Sequence, residues 1–116
     1  MHNTSYKYFP EILNESGIKK VNGFLFDLGI SSYQVDSKHR GFSYLQDESL
    51  DMRFNPDIGI TAKEYINNIS ECELVNLFKY YSDIRSPKKI ASSIIEYRKK
   101  KQMNTTFDLK NSICKI

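Results

Sequence analysis

The chain has 116 residues, 40% of them apolar, 27% charged and 13% aromatic (8 Tyr, 7 Phe, no Trp), with a formal net charge of +3. These totals suit one modest domain and exclude disorder throughout, and no apolar run nears the roughly 20 residues needed to cross a membrane. Cys72, Cys114, His2 and His39 stand at no metal-ligand spacing, so no metal site is expected.

Pro10 through Glu15 predicts a short helix, stopped at Gly17. Val21 to Leu28 is apolar on both faces except at Asn22, the pattern of a central parallel strand. Within Gly23-Phe24-Leu25-Phe26-Asp27-Leu28-Gly29-Ile30-Ser31-Ser32, an apolar run ends on a carboxylate and breaks at a glycine and two serines. Such a strand delivers one acidic side chain to the edge of an α/β sheet, where ligands bind. Residues 29–59 keep no steady period and carry Gly29, Gly41, Pro56 and Gly59, which predicts a functional loop.

From residue 60 the pattern turns helical. Thr61 with Glu64, and Ser70 with Glu73, have the spacing of capping boxes. The second opens a helix with a core face of Leu74, Leu77, Phe78 and Tyr81. Ser86-Pro87 starts another, striped by Ile90, Ala91, Ile94 and Ile95 and closed by Arg98 to Lys101 in favour of its dipole. Thr105 and Asp108 start a last helix. A single strand cannot make a sheet, so the chain reads as the middle of something larger.

Charge is uneven. Residues 1–84 hold 8 Lys/Arg against 12 Asp/Glu, whereas residues 85–116 hold 9 against 2: Arg85, Lys88, Lys89, Arg98, Lys99, Lys100, Lys101, Lys110 and Lys115 over Glu96 and Asp108. A basic segment of this size can follow a phosphate backbone, although a solvated helix face has the same composition.

Five linked segments identify a family: Gly23 to Ser32, Gln34-Val35-Asp36, Arg40-Gly41-Phe42-Ser43, Leu50-Asp51-Met52-Arg53, and Tyr81 to Ala91. In order and spacing the chain resembles the S-adenosylmethionine-dependent small-subunit (16S) ribosomal RNA methyltransferase H family, which methylates N4 of a cytidine. The resemblance implies an α/β fold: part of a Rossmann-like methyltransferase domain (one helix, one strand) over residues 1–36, a functional loop over 37–59, and an incomplete, mostly α-helical insert domain over 60–116. It implies S-adenosyl-L-methionine as cofactor, the small-subunit rRNA of the 30S subunit as partner, no membrane, and a cytoplasmic location. The family's glycine-rich cofactor loop has no counterpart here, so the sequence is expected to be an internal fragment that does not catalyse methyl transfer alone.

Carried over residue by residue, Asp27 matches a carboxylate that accepts hydrogen bonds from the cofactor, against the plainer role of capping a loop. Gln34 matches a second cofactor contact and Tyr6 an aromatic one, against a surface amide and an edge aromatic. Arg40 and Arg53 are candidates for RNA phosphate or for ordering the loop through Asp36 and Asp51. Lys99 and Lys100 are further RNA candidates, and Phe42 and Tyr44 are rings able to stack on a base or to pack the loop. No residue is assigned as catalytic, because the acid-or-amide, Pro-Pro, aromatic arrangement of many amino-methyltransferases is replaced here by Asp27-Leu28-Gly29-Ile30. Ser86 stands where the family has an aromatic, a loss expected to weaken the packing of its helix. Two other readings are a non-enzymatic basic RNA-binding module and a non-functional gene remnant.

Overall fold

The computed structural model describes residues 2, 4–37 and 39–114. A single 3-10 turn, Tyr6–Tyr8, precedes six helices: α1 (Phe9–Glu15), α2 (Ser32–Asp36), α3 (Ala62–Asn68), α4 (Glu71–Tyr81), α5 (Pro87–Lys100) and α6 (Thr106–Ile113). Local signals start most of them. The Thr61/Glu64, Ser70/Glu73 and Thr105/Asp108 boxes each close reciprocally, side chain to backbone in both directions. Pro87 occupies the first turn of α5, where its missing N–H costs nothing, and Gly17 takes φ +70 just beyond α1. Ser86 makes no side-chain cap, yet α5 is the longest helix, because its stripe rather than its cap holds it.

The main core cluster lies in the C-terminal half, and Leu50 is buried outside it. Ile69, Leu74, Ala91, Ile94, Ile95 and Met103 are buried together, flanked by Ile66, Val75, Leu77, Phe78, Ile90, Tyr97 and Leu109. Helix α5 is the centre of this unit, packed on α4 on one side and α6 on the other. Polar ties reinforce it. The Asn67 amide donates to the carbonyls of Lys63 and Met103 and accepts from the Met103 N–H. The Arg98 guanidinium donates to the Ile66 carbonyl at 2.7 Å, placing a cation on the last turn of α3 where free carbonyls collect.

Three expectations change. Val21–Leu28 forms no strand: among the described residues the only β-type pairing is an isolated bridge between Ser49 and Thr105. The segment is exposed throughout, with Leu25 97% exposed. A strand apolar on both faces is stable only between partners, and this chain provides none. Tyr81, expected in the core, is exposed at the last position of α4. The loop 29–59 also contains a helix: Ser31 caps α2, and Gln34 closes its box. Lys101 follows α5 rather than ending it, and Lys115 lies outside the described residues.

The molecule is elongated, 56 × 29 × 22 Å with a radius of gyration of 18.1 Å. A compact chain of this length has about 13 Å. No residue from 4 to 37 is buried.

Candidate functional site

The best-built feature is the loop over residues 40–54, which is laced onto the starts of two helices. The first N–H groups of α3 need acceptors, and the loop supplies them: Ala62 donates to the Asp51 carbonyl and Lys63 to the Leu50 carbonyl, each at 2.7 Å. At α6, the Thr106 N–H donates to the Glu48 carbonyl, while the Thr106 hydroxyl donates to the Gln46 carbonyl and accepts from the Glu48 N–H. Leu50, 1% exposed, donates its N–H to the Asn104 carbonyl and is buried between these two attachments. Met52 N–H donates to the Arg40 carbonyl and closes the loop base.

This path requires Gly41. Its φ is +69, and a Cβ there would lie 2.4 Å from the Ser49 carbonyl oxygen and 2.8 Å from the Asp51 nitrogen. His39 and Met52 are non-glycine residues at φ +67 and +60, and the Met52 N–H bond to the Arg40 carbonyl holds Met52 there.

Both arginines that the sequence singled out are engaged inside the loop. Arg40 Nη2 donates to the carbonyls of Arg53 (3.0 Å) and Phe54 (2.8 Å), and no hydrogen bond joins it to Asp36. Arg53 grips Asp51 bidentately, Nε to Oδ1 and Nη2 to Oδ2, both at 2.8 Å. That fork holds the Asp51 carboxyl below its ordinary range and raises the Arg53 guanidinium. Phe42 packs against Phe54, with centroids 5.6 Å apart, and lies 5.8 Å from the Arg40 guanidinium carbon. Tyr44 is the ring left outward, 67% exposed. Lys99 and Lys100 are exposed on the last turn of α5, whereas the neighbouring Lys101 binds Asp108 at 2.6 Å.

The residues expected to meet the cofactor are spread along the N-terminal third. Asp27 is exposed between Phe26 and Leu28. Tyr6 meets Phe26 edge-on at 6.0 Å, which sets it beside the residue before Asp27. Gln34 Oε1 accepts from the Ser31 N–H as part of the α2 box, leaving its NH2 group to donate elsewhere. In kind, a carboxylate, an amide donor and an aromatic ring suit a cationic, nucleoside-bearing ligand. No hydrogen bond among the described residues draws the three into one cavity. A cavity of about 410 Å³ instead lies along α1, lined by Phe9, Leu13, Gly17 and Ile18, and includes none of them.

Sequence reasoning missed the role of Asp108. Read only as a cap partner, it is 4% exposed and collects four donors: Lys101 Nζ, the Tyr97 hydroxyl, and the N–H groups of Asn104 and Thr105. Burial by itself would raise its pKa from 3.8, but these donors outweigh burial and hold it at about 2. Tyr97 and Lys101 are pushed up, Tyr97 first by desolvation and Lys101 by its bond to Asp108. Phe107 and Lys110, three apart on α6, were also passed over, although that spacing places a ring and a cation on one helix face.

The whole chain, residues 1–116, matches the MraW methylase family. "Ribosomal RNA small subunit methyltransferase H 1" of Acholeplasma laidlawii (strain PG-8A) is 44% identical over 106 residues, covering 91% of this chain and 34% of that protein. "Ribosomal RNA small subunit methyltransferase H" of Lachnospira eligens is 43% identical over 109 residues, 94% of this chain and 35% of the relative. That of Finegoldia magna is 44% identical over 105 residues, 90% and 34%. The chain thus spans about a third of the length of the curated relatives it matches.

Proposed function

Because the chain belongs to the MraW methylase family, we propose that it serves S-adenosylmethionine-dependent methylation of small-subunit ribosomal RNA, at N4 of a cytidine, in the cytoplasm. The observation that carries this reading is the match of the whole chain to that family together with 43–44% identity to proteins named for that activity. In this reading residues 1–36 belong to a Rossmann-like methyltransferase domain, with Val21–Leu28 as a strand between partners, and residues 60–116 to a helical insert facing the RNA. The exposure of Phe24, Leu25, Phe26 and Leu28 supports it, since these side chains gain burial only when strands lie on both sides.

S-adenosylmethionine supplies an electrophilic methyl group on a sulfonium. Asp27 accepts hydrogen bonds from the nucleoside and places negative charge near the cation. Gln34 donates through the NH2 that its capping bond leaves free. Tyr6 provides a ring face at the same strand end. The cytosine amine is a weak nucleophile because its lone pair is delocalised, so holding it in line matters more than a strong base. The loop at 40–54 offers a rigid wall for that purpose, while Lys99 and Lys100 attract the phosphate backbone. Arg40, through Nη2, and Arg53, through its fork on Asp51, act by stiffening this wall.

The test is a hybrid in which this chain replaces the matching third of the Acholeplasma laidlawii relative, expressed in cells lacking that methyltransferase. Nucleoside mass spectrometry of small-subunit rRNA is expected to show the methylated cytidine. Asp27→Ala in the hybrid is expected to lower it at least about tenfold, the loss of one charge-assisted contact. A folded hybrid that leaves the rRNA unmethylated would refute the reading.

A further inference from the structure

We propose that Tyr44, Phe107 and Lys110 form a stacking station for an unpaired RNA nucleotide, the Tyr44 ring receiving the base and the Lys110 ammonium the adjoining phosphate. The inference rests on the RNA reading above and assigns it a site.

The three residues come from segments more than sixty positions apart and meet where the loop crosses α6. Lys110 Nζ lies 5.1 Å from the Phe107 centroid and 5.9 Å from that of Tyr44, and donates to the Tyr44 carbonyl at 3.4 Å. A lone exposed tyrosine needs no explanation. This one is different because its mounting is rigid: Ser43 beside it is buried, and Gln46 and Glu48 just beyond are bonded to Thr106 at the start of α6. The ring is therefore held outward at a fixed distance from the helix, so little ordering is lost when a base lands on it.

Charge favours the same place. Among the described residues Arg40 is tied to the loop through Nη2, Arg53 is paired with Asp51, and Lys101 is paired with Asp108. Among the described residues no carboxylate lies within ion-pair distance of Lys110, so its charge can meet a phosphate while the rings keep it in position. A ring face beside one cation suits a splayed, single-stranded base, whereas the stacked bases of an A-form duplex offer it nothing.

Fluorescence anisotropy with an end-labelled unpaired RNA oligonucleotide and a hairpin of the same composition tests the assignment on the 116-residue chain. The unpaired RNA is expected to bind more tightly. Tyr44→Leu is expected to weaken it about five- to a hundredfold without changing the salt dependence, and Tyr44→Phe to retain affinity. Lys110→Gln is expected to weaken binding and flatten the plot of log affinity against log salt by about 0.7. Equal affinity for hairpin and unpaired RNA, or a folded Tyr44→Leu chain binding like the parent, would overturn the station while leaving RNA binding intact. A folded parent chain that binds neither RNA would overturn the RNA reading and the station with it.

Discussion

Asp108 shows how one carboxylate joins two helices. Its two oxygens take the Lys101 ammonium and Tyr97 hydroxyl from the end of α5, and the Asn104 and Thr105 N–H groups from the start of α6. Asp108→Ala leaves those backbone donors and the buried hydroxyl without an acceptor, so a loss of about 2–4 kcal/mol is expected, read by urea unfolding followed by far-ultraviolet circular dichroism. The same group sets an acid limit. Unfolded, it titrates near its ordinary 3.8; folded, near about 2. Its contribution is therefore complete above about pH 4 and vanishes as the pH falls through about 2, a loss of about 1–2 kcal/mol after allowing for solvent around Lys101. Unfolding midpoints that stay level across that window, or that stay level in the parent and fall in Asp108→Asn, would contradict this. At Gly41, a methyl group meets the Ser49 carbonyl oxygen at 2.4 Å on a backbone already at φ +69. Gly41→Ala is expected to cost about 1–3 kcal/mol and to release the 40–54 loop, seen as faster amide exchange at Leu50 and Met52. Neither effect was visible in the sequence. The Thr105/Asp108 spacing announced a cap, but the approach of Lys101 and Tyr97 depends on how the chain turns between helices.

Among elements, what is local in the chain was legible. Three capping boxes and a proline at the start of α5 place helices where they form, because each signal acts within four residues. A fourth box, Ser31 with Gln34, carries the same spacing and starts α2 inside the stretch predicted as loop. Thr61→Ala removes the acceptor for the Glu64 N–H and the partner of its carboxylate, and is expected to lower stability by about 1 kcal/mol in urea. Ile94→Ala, at a site 1% exposed between α4 and α6, is expected to cost about 2–5 kcal/mol by the same measurement. The spacing of Leu74, Leu77, Phe78 and Tyr81 was equally clear, yet periodicity does not say how far along a helix the packing extends, and Tyr81 at the end of α4 is exposed. Val21–Leu28 illustrates the same limit: its pattern specifies a preference for burial on two faces, and burial needs flanking strands that the described residues do not form. The cofactor candidates share that dependence. Asp27 lies in a segment without regular structure and Tyr6 packs on the neighbouring Phe26, whereas Arg40 and Arg53 are already bonded within the loop.

At the scale of the whole molecule the chain divides into two unlike parts. Residues 40–114 hold every buried side chain, two laced helix starts and no buried polar side-chain atom without a partner among those described. Residues 4–37 bury none, and the radius of gyration of 18.1 Å reflects their separation from the core. Residues 40–114 accordingly form a helical unit with its own core, and in the proposed function this unit faces the RNA while residues 21–28 form a strand only against partner strands. Hydrogen exchange of the 116-residue chain, resolved by peptide, tests this most directly. Amides in residues 91–97 are expected to exchange slowly, in step with global unfolding, while those in residues 21–30 exchange at the rate of an open chain. Protection of residues 21–30 equal to that of α5 would mean that the segment already finds its partners, and would contradict the account.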